Sequence, residues 1–583
     1  MTKKTTGNGG FRESLRLRLA TTDRLPQLAL LGIVSGILTG LVIITFRIII
    51  EFTQAHLLPG NQSENYEALT PWVRLFLAIG GGLTVGLLFQ FVAKGANQVG
   101  VVHVMERLAY HQGRLPIRNA IWQFIGASIS LICGHSVGRE GPGIHLGATT
   151  GSQLGQVLQL PNNSTRILVS CGVAAAIAAS FNTPLAGVIF SMEVVMMEYT
   201  LAGFTPVILA AVSATSLCRW FFGSDPAFAV PALHLQSLQE LPFIILTGIV
   251  LGILAAIFIN TLNRFTHVVE KRPYWQRTTL AGIIIGICAL FVPEIMGVGY
   301  DTVNNALIGS LGIGILVAIV LFKLVATSAA IGLGLPGGLI GPTLVIGAAA
   351  GGAMGIVADL MFPGSVSSHA FYAMLGMGAM MAATLQAPLA ALMAMLELTG
   401  NPNIILPGML AVISSGLTCS ELFGKSSIFV MLIRARGLDY RNDPVAQTLR
   451  RQGVATAMNK QFVISDAPIA VSEIKNLLEN KPQWIVIIND KQPRSLLPAT
   501  DLAQYLQQTN DNDPETQDTI DLMDIPAKRR ELESIHLRAN LQEALDTINE
   551  THAEALCVIH GHNKNIKIYG ILTQQDIEKH YQY

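Results

Sequence analysis

Charge is what this sequence has least of. Only 13% of its 583 residues are Asp, Glu, Lys or Arg, where a soluble chain of this length carries about a quarter. That excludes an ordinary water-soluble protein. The formal net charge is zero. In such a chain the sign of charge matters loop by loop, not in sum, and no nucleic-acid partner is expected. Cysteine is also scarce. The six cysteines (133, 171, 218, 288, 419 and 557) are scattered through apolar runs with no CxxC and no His pairing. They read as small buried hydrophobes, which leaves no disulfide framework and no metal site. A cleavable signal pattern is missing too. The stretch TKKTTGNGGFRESLRLRLATTDR before the first apolar run is too long, lacks a cleavage site, and through its Lys and Arg suggests a cytoplasmic N-terminus.

What is present instead is length without charge. Runs such as LALLGIVSGILTGLVIITFRIII (28–50), FIILTGIVLGILAAIFI (243–259) and LIGSLGIGILVAIVLF (307–322) recur, and mean hydropathy is +0.48. About 18 apolar residues suffice to span a bilayer, so the chain reads as a polytopic, all-α integral membrane protein and not as an enzyme. Composition changes near residue 437. Beyond it, DYRNDPVAQTLRRQG is polar, and residues 454–583 alternate short strand-like and helical patterns. The expected organisation is an N-terminal segment (1–24), a membrane domain (25–437), a linker (438–453) and two soluble α+β units (454–510 and 520–583) separated by DNDPETQDT. Each unit ends as strand, turn, strand and a helix opened by Thr and Asp, an internal duplication.

The membrane domain carries a sharper duplication. GREGPGIHLGATTGSQLG (138–155) is matched by GLIGPTLVIGAAAGGAMG (338–355). Gly138, Gly141, Pro142, Gly147, Gly151 and Gly155 all recur 200 residues later. FNTPLAGVIFSME (181–193) is echoed by LQAPLAALMAMLE (385–397). Two membrane repeats follow, over about 25–220 and 235–437; matching motifs do not say whether they run parallel or inverted. Gly-Pro inside an apolar segment breaks or starts a helix. Backbone freed at membrane depth is tolerated only in a protein interior or along a cavity. Helix N-termini pointed inward offer free N–H groups and partial positive charge, which suits an anion. The plainer reading is that these glycines only let helices pack closely.

Arg139 and Glu140 do not fit the apolar background, because their repeat partners are Leu339 and Ile340. An ionisable residue at membrane depth is expensive and usually functional; the same pair in a surface loop would cost nothing. Beside an anion-binding helix end, the Glu140 carboxylate would occupy the anion's own place, and protonation would release it. Arg139 reads as a stabiliser of the local fold. Glu193 and Glu397 hold equivalent positions, which favours a shared structural role at helix ends.

These motifs resemble those of the CLC family of chloride channels and proton-coupled chloride transporters, over roughly residues 25–437. GREGP (138–142), GGLIGP (337–342) and FNTPLAG (181–187) carry the likeness. The resemblance implies two inverted repeats with broken helices, and a homodimer with one pore per subunit. It also implies chloride as substrate, with no cofactor required for transport. On it, Glu140 matches the gating glutamate and external proton acceptor. Val99, Gly100, Gly138, Arg139, Gly141, Ile340, Gly341, Ile428 and Phe429 fall along the anion path. The tail resembles a pair of CBS domains, modules that often bind adenine nucleotides (ATP, ADP or AMP). Thr500 and Asp501, and by weaker analogy Thr573 and Asp576, fall where such modules contact ribose. The implied location is a bacterial inner membrane, multi-pass, with both termini cytoplasmic.

Three departures from the family pattern stand out. QVGVV (98–102) replaces the usual GSGIP, so a serine hydroxyl becomes Val99. The usual internal proton glutamate is Val194. The hydroxyl-bearing inner-gate residue falls on Ile428, or on Phe429 with a shift of one. Loss of the internal carboxylate makes a passive, Glu140-gated chloride channel of the voltage-gated type the expected function. A chloride/proton antiporter with an atypical internal route is the first alternative, and a non-conducting membrane sensor with a nucleotide-responsive tail the second.

Overall fold

The structure, a computed structural model, describes residues 25–580 apart from 97, 200, 225–227, 229–233, 269–270, 364–365, 439–443, 480, 490–491, 513–518 and 561–566. The expectations for residues 1–24 and for most of the spacer 511–519 lie outside the described residues. The chain divides into two units, one of residues 25–156 and 166–441, the other of 157–165 and the tail from 442.

The first unit is all helix, because a backbone in hydrocarbon must satisfy its own N–H and C=O groups. Its first half holds α1 (Leu25–Leu57), α2 (Pro71–Leu87), α3 (Gly100–Tyr110), α4 (Ile117–Ile132), α5 (Glu140–Val157), α6 (Asn162–Phe181), α7 (Pro184–Phe190) and α8 (Leu201–Phe222). The second half repeats the series as α9 (Leu241–Val268), α10 (Tyr274–Phe291), α11 (Tyr300–Ile308), α12 (Ile313–Gly332), α13 (Ile340–Met361), α14 (His369–Leu385), α15 (Pro388–Thr399) and α16 (Ile405–Leu417), and α17 (Ile428–Ala435) closes it. Among the described residues, nine helical stretches are long and apolar enough to cross a membrane. Outward-facing Leu30, Phe52, Trp72, Phe76 and Leu321 are exposed in the protein, as lipid-facing side chains must be. The helices are broken: Pro opens α2, α7 and α15, and π-helical turns interrupt the chain at Leu88–Val92, Ser191–Met196 and Thr418–Leu422.

The repeats are inverted. Gly138 and Gly338 pair as an antiparallel bridge, Gly138 N–H donating to Gly338 O at 2.8 Å and Gly338 N–H to Gly138 O at 2.6 Å. The matched segments therefore cross in opposite directions. The glycines further along the motif do pack helices. A Cβ on Gly147 would lie 2.2 Å from the Gly172 carbonyl, and one on Gly347 would lie 2.4 Å from that of Gly376. α5 thus lies against α6, and α13 against α14, backbone to backbone. The packing reading holds for the later glycines of the motif and the helix-breaking one for its start. α6 is the interior helix of the first half, with 94% of its span buried against 33% for the stretch Pro71–Val92.

A reciprocal cap ties the halves together. The Glu193 carboxylate accepts from Leu389 N–H (3.1 Å) and Ala390 N–H (2.7 Å) at the start of α15. Glu397 accepts from Leu185 N–H (2.9 Å) and Ala186 N–H (2.8 Å) at the start of α7. These are the N–H groups of the second and third residues, the first two such groups of helices opened by Pro, and neither helix has a side-chain cap at its own N-cap residue. The matched glutamates sit at helix ends, each serving the other repeat.

The tail is α+β. After α18 (Pro444–Arg451) and α19 (Val454–Ala457), it runs β1 (Phe462–Asp466), β2 (Pro468–Ala470), α20 (Val471–Glu479), β3 (Trp484–Asn489), β4 (Gln492–Pro498) and α21 (Ala499–Asn512). It continues with β5 (Thr519–Asp521), β6 (Arg530–His536), α22 (Leu541–Thr551), β7 (Ala555–His560), β8 (Lys567–Thr573) and α23 (Gln574–Glu578). The main sheet has order β1-β3-β4-β6-β7-β8. In each half a parallel pair (β1/β3, β6/β7) adjoins an antiparallel hairpin (β3/β4, β7/β8). Ahead of its strand–turn–strand–helix ending, each half therefore holds two further strands (β1 and β2, β5 and β6) and one further helix (α20, α22). β3 alternates faces: Ile485 and Ile487 enter the core of their own half, while Trp484 and Val486 join Ala555 and Cys557 of the other.

Candidate functional site

Both interrupted segments bring a helix start to the Gly138–Gly338 crossing. α5 begins at Glu140 and α13 at Ile340, so one repeat contributes a carboxylate where the other contributes free N–H groups. Glu140 Oε2 accepts from Gly341 N–H at 3.2 Å, and Oε1 accepts from the Tyr300 hydroxyl at 3.0 Å. The side chain is 1% exposed. Its carboxylate lies at a helix N-terminus, where backbone donors and the helix dipole favour negative charge. No space remains for side chains here: a Cβ on Gly338 would lie 2.5 Å from Gly141 N, and one on Gly341 would lie 3.1 Å from Glu140 Oε1.

Around this point two arginines share one carboxylate. The Arg139 guanidinium reaches Glu51 at 3.2 Å and lies 4.8 Å from the centre of the Tyr300 ring. Arg47 joins Glu51 at 2.6 Å. Lys323, fully buried on α12, donates from Nζ to the carbonyls of Ile295, Gly297 and Val298 at 3.0–3.2 Å and so braces the loop that presents Tyr300. A cavity of about 390 Å³ adjoins these residues, lined in part by Glu51, Glu64, Arg139, Tyr300 and Asp301. Two carboxylates of the loop before α2 are perturbed. Burial pushes Glu64 up, opposed chiefly by the Arg139 charge. Burial and then the nearby Asp301 push Glu67 up to about 7.

A second cavity, of about 450 Å³, holds much of the expected anion path. Val99, Gly100, Gly338 and Phe429 line it, together with Gln123, Arg277 and Arg436. Val99 is the N-cap of α3 and makes no side-chain cap bond, the local consequence of losing a hydroxyl. Gly100 N–H donates to His145 Nδ1 at 3.4 Å, so that donor is already engaged. Ile428, fully buried, does not line the cavity, whereas its neighbour Phe429 does. Val194 is enclosed in the π-helical turn Ser191–Met196 at 2% exposure, with no titratable atom of its own. In the tail, Thr573 and Asp576 form a capping box at the start of α23, and Thr500 bonds its neighbour Asp501 at 3.3 Å near the start of α21.

Sequence reading missed Tyr300, Lys323 and Gln123. Gln123 is wholly enclosed, lines the 450 Å³ cavity, and has an Nε2 with no hydrogen-bond partner. The same 200-residue offset would have found them, since it pairs Gly100 with Tyr300 and Gln123 with Lys323.

Residues 81–420 match the family described as voltage gated chloride channel. A protein of Ralstonia nicotianae described as a ClcB-like chloride channel protein is 33% identical, over 71% of this chain and 97% of that one. The H+/Cl− exchange transporter ClcA of Vibrio cholerae is 30% identical, over 70% of this chain and 90% of that one. Among solved structures, a slow cyanobacterial Cl−/H+ antiporter superposes with a TM-score of 0.63 at 26% identity, covering 72% of this chain and 99% of that one.

Proposed function

The chain belongs to the voltage-gated chloride channel (CLC) family, and from that premise we propose that it exchanges chloride for protons across the membrane, with Glu140 as both gate and proton acceptor. The observation that carries this reading is the Glu140 carboxylate at the start of α13, accepting from Gly341 N–H at 3.2 Å: the side chain stands where an anion would. The exchange activity in the names of the Vibrio and cyanobacterial relatives supports it. It reverses the expectation of a passive channel drawn from Val194.

In this mechanism chloride enters the 450 Å³ cavity past Arg277 and Arg436, then Val99, Gly100 and Phe429. At the crossing it competes with Glu140 for the N–H groups near Gly141, Ile340 and Gly341. The displaced carboxylate takes a proton, loses its charge and with it the reason to return. Release of the proton sends the carboxylate back and expels the anion. Val194 cannot pass the proton on, so water in the cavity does, and coupling is loose. A passive channel is the second reading, and Val194 is the observation that favours it.

The protein works as a homodimer with one pore per subunit, in a bacterial inner membrane, with both termini cytoplasmic and Glu140 toward the outside. Residues 25–437 form the transport domain. Residues 454–510 and 520–583 form a CBS pair that responds to adenine nucleotide, with Thr500, Asp501, Thr573 and Asp576 nearest the ligand.

Chloride-loaded liposomes carrying the protein test the function when chloride release and external pH are recorded together. The expected result is proton uptake driven by chloride efflux, and in Glu140→Gln efflux with no proton movement. Native efflux without proton movement at any gradient would leave the passive channel. No efflux at all would leave the non-conducting sensor.

A further inference from the structure

We propose that Tyr300 is the latch on the gate: its hydroxyl holds the closed Glu140 carboxylate and thereby sets the pH at which the path opens. The proposal rests on the reading of Glu140 as the gate.

The geometry is direct. Tyr300 Oη donates to Glu140 Oε1 at 3.0 Å, while Gly341 N–H holds the other oxygen. A hydroxyl donating to a carboxylate favours the ionised form over the protonated one. In this gate the ionised form is the closed one, so the Tyr300 bond opposes opening.

The phenol is also held still. Phe228 meets its ring edge-on at 5.3 Å, Phe181 lies at 6.2 Å, and the Arg139 guanidinium covers it at 4.8 Å. Its backbone N–H donates to Glu64 Oε2 at 3.4 Å. It follows Gly299, whose φ of +87° is a left-handed conformation that suits glycine. The three carbonyl bonds from Lys323 fix the loop before it. A donor on so rigid a mount loses little freedom when it engages its acceptor.

The repeat comparison makes the pairing specific. Glu140 replaces an apolar residue in the other repeat, Ile340, and Tyr300 replaces a bare backbone position, Gly100. These two departures from internal symmetry, 160 residues apart, meet in one hydrogen bond. At the other end of the path the Tyr300 position is Gly100, which lines the cavity and offers no side-chain hydroxyl. Tyr300 itself lines the 390 Å³ cavity, as does Arg139, and Glu140 does not. The charged groups nearby are Arg139, Glu51, Glu64, Asp301 and Lys323, and Tyr300→Phe keeps the ring that Arg139 covers and the backbone N–H that Glu64 accepts.

The test is chloride flux in proteoliposomes across pH for the native chain, Tyr300→Phe, Glu140→Gln and the double variant. Removing the hydroxyl moves the half-activation pH of flux upward by about one unit, the size of one charge-assisted hydrogen bond discounted for water taking its place. Placing 3-fluorotyrosine at position 300, a stronger donor of nearly the same shape, moves it downward, which a purely structural role for the ring would not do. This second variant also decides the matter where Phe impairs folding. In the Glu140→Gln background, Tyr300→Phe changes flux less than about twofold, since the group it acts through is gone. If the midpoint stays put in both Tyr300 variants while Glu140→Gln abolishes the pH dependence, the latch is wrong and the gate stands. If Glu140→Gln leaves the pH dependence intact, the gate reading fails and the latch with it.

Discussion

Replacing Glu193 with Gln isolates the reciprocal cap. The native carboxylate takes both free N–H groups at the start of α15, from Leu389 and Ala390. An amide offers one acceptor oxygen, so one of the two donors is left without its partner and the favourable charge at the helix end disappears. An unpaired buried donor costs about 1–3 kcal/mol, and the lost charge at a helix N-terminus about 0.3–1 kcal/mol. Glu193 is half-buried, so water recovers part of this, and a net loss of about 2 kcal/mol is expected. Glu397→Gln should cost the same through Leu185 and Ala186. The measurement is unfolding of the purified chain in detergent against a chemical denaturant, for each single variant and the double. Both glutamates tie the same two helices, so the double variant should depart from the sum of the singles. Flux should keep its native pH midpoint, because neither carboxylate touches Glu140. A loss below about 0.5 kcal/mol in both singles, outside any reasonable discount on these bonds, would refute the account of the glutamates as caps.

Other predictions concern single positions. Val99→Ser supplies α3 with the N-cap it lacks and should stabilise the chain by about 1 kcal/mol; the added hydroxyl in the cavity wall should raise the chloride-to-nitrate flux ratio. Glu67, pushed up to about 7 by burial and then by Asp301, binds its proton more tightly folded than unfolded. Its contribution to stability is therefore lost as pH rises from about 4.5 through 7. Glu67→Gln should remove that slope and be more stable than the native chain at pH 8 by about 2 kcal/mol, after discount for its partial exposure, as read from thermal unfolding at pH 4 and pH 8. Gly347→Ala places a methyl 2.4 Å from the Gly376 carbonyl and should sharply reduce recovery of folded protein. Gly80→Ala, with nothing within 4 Å, should be neutral in the same expression and size-exclusion comparison.

Much of the architecture was legible because it is written twice. The Gly-Pro spacing in 138–155 and 338–355 announced two repeats, and the matched Glu193 and Glu397 announced helix ends. Their direction was not legible, since identical motifs look the same either way up; only the antiparallel Gly138–Gly338 bridge fixes it. Glu140 was visible as a charge with an apolar partner. Tyr300 was not, because a tyrosine in VGYD is unremarkable until it is set against Gly100. Lys323 sat inside an apolar run and its meaning depends on three carbonyls about 25 residues upstream, contacts that no local pattern encodes. In the tail, local periodicity revealed the hairpins, whereas β1 and β6 acquire their role from parallel partners further along the chain.

The Gly138–Gly338 bridge also limits how the protein can move. Two backbone hydrogen bonds fasten the repeats at the crossing where the proposed mechanism has the anion pass, and elsewhere two carboxylates each hold a helix of the opposite half. A rocking motion of one half against the other would have to break these ties together on every cycle. Rotation of one glutamate about its own side-chain bonds breaks only the bonds it makes itself. On the proposed mechanism the moving part is a single side chain turning in a stationary wall, and turnover should follow the chemistry of that residue and its hydrogen-bond partners more closely than the thickness or stiffness of the surrounding bilayer.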